Sequence, residues 1–73
     1  MKDQIFKLRA GQPYITLNKL LQVLGIAQTG GHAKIMILND EVMVNGLVER
    51  RVRNKLVVGD VVNVSGTQIV IEQ

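Results

Sequence analysis

The chain has no cysteine and no tryptophan, and only one proline, one tyrosine and one phenylalanine. Without cysteine there is no disulfide framework and no thiolate metal site, which fits a reducing compartment. A single histidine, with neither cysteine nor a matched carboxylate pair beside it, makes a poor metal site, so no metal or other cofactor is expected. With Phe6 and Tyr14 as its only aromatics, the chain offers no platform for stacking the bases of a single strand. No window approaches the roughly 18 apolar residues of a membrane span. The N-terminal Met1-Lys2-Asp3-Gln4-Ile5-Phe6-Lys7 lacks the apolar core of a secretory signal. The reading is a soluble cytoplasmic protein with no membrane partner.

What is present is aliphatic and basic. The 73 residues, 47% hydrophobic with Val, Ile and Leu dominant, suffice for one domain (1–73) with a small core. The formal net charge is +3, which many small domains carry for solubility alone. Its distribution says more. Four of the nine Lys and Arg residues, Arg50, Arg51, Arg53 and Lys55, fall within six positions. Clustered cations on a rigid scaffold are a plausible electrostatic footprint for nucleic acid.

Polar and apolar residues alternate through Gln4–Arg9, which predicts a half-buried strand broken by Ala10-Gly11-Gln12-Pro13. Leu17, Leu20, Leu21 and Leu24 recur at the spacing of one helix face. Thr16 is placed to cap that helix with its hydroxyl, and Gly25 to end it. Thr29 predicts a second N-cap, with Gly30 and Gly31 in the first turn and Ala33, Met36 and Ile37 facing inward as far as Asn39. Because Ile35 and Leu38 leave that helix little polar surface, it is expected to be covered on two sides. Val42–Val44, Asn45-Gly46 and Leu47–Val48 read as a β-hairpin with a type I′ turn. Residues 50–55 read as irregular, Gly59-Asp60 as a turn, 61–64 as a strand, Ser65-Gly66 as a turn and 68–71 as a last strand. The order is α+β: two packed helices against a small, mostly antiparallel sheet.

The candidate site residues are Lys19, Gly30, Gly31, Lys34, Arg50, Arg51, Arg53 and Lys55. Glycines opening a helix leave backbone N–H groups free for an anion at the positive end of the dipole. The same glycines also fit a tight turn between closely packed helices. Lys34 lies one turn on and could act on the same phosphate. The planar forks of the arginines suit bidentate phosphate contacts. Glu49 is the only acidic residue adjoining the run, so the cluster is read as not internally neutralised. Lys19 lies on the outward face of the first helix, whereas Lys2, Lys7 and Arg9 read as solubility charges. His32 fits a surface position at a helix start. Of the acidic residues Asp40, Glu41, Glu49 and Asp60, the first two sit at a helix end and Asp60 in a turn, and no serine, cysteine or histidine constellation accompanies them, so no catalytic residue and no small-molecule substrate is expected.

Leu17-Asn18-Lys19-Leu20-Leu21, Gly25, Thr29-Gly30-Gly31-His32-Ala33-Lys34, Val42-Met43-Val44-Asn45-Gly46 and Lys55 through Val64 together resemble the RNA-binding domain named after ribosomal protein S-four, the alpha-L motif. The likeness covers about residues 15–64 and is nearest to the small stand-alone members of the YbcJ type. It implies structured RNA as ligand. Contacts would come from the start of the second helix (Gly30, Gly31, Lys34) and from the basic segment (Arg50, Arg51, Arg53, Lys55). The chain departs from many members in holding Thr16 where an arginine opens the first helix. It also holds Gly30-Gly31 where Ser-Arg opens the second.

The expectation is a monomeric, non-enzymatic module for structured RNA, ribosomal RNA or the ribosome first, that reads the shape of an A-form stem through its phosphates. The rivals are a protein-interaction module using an exposed sheet edge at 61–64 and 68–71, and a DNA binder.

Overall fold

The computed structural model describes residues 2–73. Strand β1 (Lys2–Lys7) leads through a turn into the two-residue β2 (Ile15–Thr16), then α1 (Leu17–Val23) and α2 (Gly30–Leu38). Five strands follow: β3 (Val42–Val44), β4 (Leu47–Val48), β5 (Lys55–Leu56), β6 (Val61–Val64) and β7 (Thr67–Glu72). The main sheet has the order β1-β7-β6-β3-β4, with β1 and β7 parallel and the other pairs antiparallel. Strands β2 and β5 form a separate antiparallel pair, Ile15 opposite Leu56 and Thr16 opposite Lys55.

The core lies between one face of the sheet and the two helices. Alternate strand positions point inward, so Val42, Val62, Val64, Ile69 and Ile71 are all buried. Leu17, Leu20 and Leu21 of α1 and Ala33, Met36 and Ile37 of α2 close the other side, as their spacing predicts. Helix α1 ends in a Schellman motif. Gly25 (φ 74°) donates to the Gln22 carbonyl at 3.0 Å and Ile26 to that of Leu21 at 3.0 Å. In the β3–β4 hairpin, Asn45 and Gly46 take φ values of 52° and 85°, the pair of left-handed residues a type I′ turn requires.

Five features differ from the sequence reading. The first strand runs Lys2–Lys7 rather than Gln4–Arg9, although its phase holds: Leu8 is buried and Phe6 packs against the core. Strands β2 and β5 are too short to show a period of two, and only the fold reveals them. Thr16 makes no side-chain cap. Instead the Leu17 and Asn18 N–H groups donate to the carbonyls of Asn54 (2.9 Å) and Val52 (3.1 Å), so the basic segment itself satisfies the start of α1. Helix α2 is covered on one side only, with Ile35 59% and Leu38 49% exposed, because so small a domain lacks the surface to cover both. The rival sheet edge moves as well. β6 and β7 are interior strands, and the edges are β1 and β4.

Candidate functional site

The two carbonyls that hold the start of α1 also fix where the basic segment runs. Val52 and Asn54 are tied to Asn18 and Leu17, so Arg53, between them, is carried to the junction of the two helices. There Asn18, Gly30, Gly31, Lys34, Val52 and Arg53 line one shallow concavity of about 430 Å³. Two sequence-distant candidates, the glycine-opened helix and the cationic run, are thus brought to a single place.

The geometry at the start of α2 leaves donors free. The Thr29 hydroxyl accepts from the His32 N–H at 3.0 Å, and the Thr29 carbonyl accepts from Ala33. The N–H groups of Gly30 and Gly31 belong to the first turn and have no intrahelical acceptor. Neither glycine is demanded by the backbone, since their φ values are not positive. Nor does packing demand them. A Cβ on Gly30 would come no closer than 3.8 Å to Gln22, and one on Gly31 no closer than 3.9 Å to Thr29. The tight-turn explanation for the pair is therefore removed. His32 is engaged locally, its Nδ1 accepting from the Gln28 N–H at 3.3 Å.

The cationic run is partly neutralised, contrary to its sequence. Arg50 forms a two-pronged pair with Asp40, Nε to Oδ1 at 2.6 Å and Nη2 to Oδ2 at 2.8 Å. Arg51 does the same with Glu49, at 2.9 and 3.1 Å. The hydrogen bonds from the guanidinium groups hold both carboxyls below their usual range and push both arginines up. Asp40 is ten residues away in sequence and reaches Arg50 only because α2 ends beside the hairpin. Among the described residues these are the only two ion pairs, so Arg53 and Lys34 are left without carboxylate partners. Lys55 sits with its Nζ 4.9 Å from the centre of the Tyr14 ring, a cation–π contact with an exposed aromatic.

The candidates therefore fall into four places, with Arg53 shared between two of them. Gly30, Gly31, Lys34 and Arg53 share the helix-junction concavity. Arg51, Arg53 and Lys55 line an open surface next to it, and Arg50 is turned toward Asp40. Lys19 stands apart, in a different concavity with Lys7 and Arg9. Asn18 was not singled out by its sequence. Its Oδ1 is buried without a hydrogen-bond partner at the wall of the helix-junction concavity, and a polar residue on an amphipathic helix gives no advance sign of that. Asp60 is structural, accepting from the Val57 N–H at 2.9 Å and from Asn45 Nδ2 at 3.0 Å. Among the described residues no group of three metal-ligating side chains exists, and no helix is long and apolar enough to cross a membrane.

Comparison with known proteins yields a consistent set of relatives. The family model described as the S4 domain matches residues 6–72. YbcJ of Escherichia coli strain K12 is 39% identical over 57 residues, 78% of this chain and 81% of YbcJ. A Bacillus subtilis strain 168 protein named "Probable ribosome maturation protein RlbA" is 42% identical over 52 residues, 71% of this chain and 73% of its own. The solution structure of E. coli YbcJ, whose title describes an alpha-L motif involved in RNA binding, superposes with a TM-score of 0.70 at 35% identity. It covers 94% of this chain and 86% of YbcJ.

Proposed function

This chain belongs to the S4 domain family, and from that premise we propose that it binds structured RNA, ribosomal RNA foremost, through the concavity where the two helices meet the basic segment. One observation carries the reading. Two glycines that neither backbone conformation nor packing requires open a helix beside two cations free of carboxylate partners, Lys34 and Arg53.

A phosphate placed there accepts from the Gly30 and Gly31 N–H groups at the positive end of α2. Lys34 and Arg53 supply the charge, and the absence of a Cβ on either glycine lets the phosphate approach the backbone closely. The 2′-hydroxyls that separate RNA from DNA lie between the phosphate strands of an A-form stem. Arg51 and Lys55 extend the cationic surface toward the next phosphates. Recognition is of the shape of an A-form stem, without base stacking and without catalysis, by a single domain acting as a monomer in the cytoplasm. The name of the RlbA relative supports a ribosomal target.

The test is a backbone amide titration with a ribosomal RNA stem-loop at low and high salt. Salt-sensitive shifts clustered at Gly30–Lys34 and Arg50–Lys55 are expected. The roughly four phosphates neutralised at this site contribute about −3 to −4 to the slope of log affinity against log salt. A flat salt response, or equal affinity for a DNA duplex of the same sequence, would overturn the reading.

A further inference from the structure

The fold brings Lys19, a candidate site residue by its sequence, together with Lys7 and Arg9, which the sequence reads as solubility charges. They line a second concavity of about 640 Å³, together with the apolar Phe6, Ile15 and Val23, on the opposite flank of α1 from the helix-junction site. Among the described residues none of the three takes part in an ion pair, and the lining of this concavity contains no acidic residue. In the β1–β7 ladder Lys7 stands in register with Glu72.

The relation of the two concavities follows from helix geometry. Successive residues of α1 are set about 100° apart. Leu17, Leu20 and Leu21 point into the core, so the outward arc runs from Asn18 through Gln22 and Lys19 to Val23. Asn18 walls the first concavity, and Lys19 with Val23 walls the second. Helix α1 is thus a ridge, about 10 Å wide with its side chains, that carries a cationic hollow on each side.

We propose that this second hollow is a further RNA contact, and that α1 lies along the minor groove of an A-form stem with one phosphate strand in each hollow. The inference rests on the RNA-binding function proposed above and gives it an orientation. An A-form duplex offers a wide, shallow minor groove with 2′-hydroxyls on its floor and a phosphate strand along each rim. A polar ridge flanked by cations on both sides complements that relief. A single-sided cationic patch would need only one strand, whereas two hollows on opposite flanks of one ridge match two.

The experiment measures affinity for a short RNA stem-loop and for one of its strands alone, each across a salt series. The parent chain is compared with a Lys7→Gln/Arg9→Gln/Lys19→Gln variant and a Lys34→Gln/Arg53→Gln variant. All the substituted side chains are exposed, so thermal unfolding should show both variants folded. The first variant is expected to bind the stem-loop at least tenfold more weakly at low salt. Its salt slope should be less steep by about 2 to 3, at ~0.9 per lost contact, with a smaller loss on the single strand. If the first variant binds the stem-loop like the parent while the second is weakened, the second hollow is not an RNA contact and the function stands. A parent chain that binds neither RNA overturns the function and this orientation together.

Discussion

Arg50 grips Asp40 with both prongs of its guanidinium, Nε 2.6 Å from one carboxylate oxygen and Nη2 2.8 Å from the other, across ten residues of sequence. The pair ties the end of α2 to the exit of the β3–β4 hairpin. It also gives a carboxylate partner to one of the four cations that make the basic run conspicuous. A phosphate that recruits Arg50 must compete with Asp40 for the same planar fork.

Replacing Asp40 by Asn should therefore strengthen RNA binding. The side chain keeps its shape, and Asn tolerates the positive φ of 62° found there. If Arg50 is then free to take a phosphate, low-salt affinity rises several-fold and the salt slope steepens by about 0.9. Binding measured at two salt concentrations decides the matter. An unchanged affinity removes Arg50 from the interface.

The same carboxylates predict an acid response. The Asp40 and Glu49 carboxyls are held below their usual values by the arginine hydrogen bonds. Each therefore adds stability at pH above its unfolded value, about 4 for a carboxylate. That stability is lost as the pH falls through the lowered folded values. Both pairs are solvent-screened, so the effect is small. Thermal midpoints of the parent should fall slightly more on acidification than those of Asp40→Asn, which lacks one of the two groups. Parallel curves would contradict this.

Gly31→Ala should separate stability from function. The new methyl group meets nothing closer than 3.9 Å, and alanine in a helix is favoured over glycine by roughly 0.5–1 kcal/mol. The denaturation midpoint should rise. RNA affinity should fall by about tenfold or more, the worth of one charge-assisted hydrogen bond. A variant both more stable and equally tight would show that no phosphate approaches this backbone.

Asn45→Ala tests the hairpin. Asn45 holds φ 52°, its Oδ1 accepts from the Val61 N–H at 2.9 Å and its Nδ2 donates to Asp60 at 3.0 Å. Alanine loses both bonds and pays for the left-handed backbone, so the loss should be about 1–2 kcal/mol by denaturant unfolding. No charge is removed, and the salt slope for RNA should not change.

Much of this protein was legible in the order of its residues. The leucine spacing of α1, the threonine cap and inward face of α2 and the Asn-Gly hairpin are local rules, each satisfied within a few residues. The sequence also picked out the glycine-opened helix and the cationic run as the residues to examine. Tertiary structure alone decided how they combine. It placed Arg53 beside Gly30 and Lys34 by tying the Val52 and Asn54 carbonyls to α1, paired Arg50 with a carboxylate ten residues upstream, and gathered Lys7, Arg9 and Lys19 into one hollow. The reason is physical. Helix and turn preferences act over one or two turns of chain, whereas charge pairing and concavity depend on which surfaces the core brings face to face.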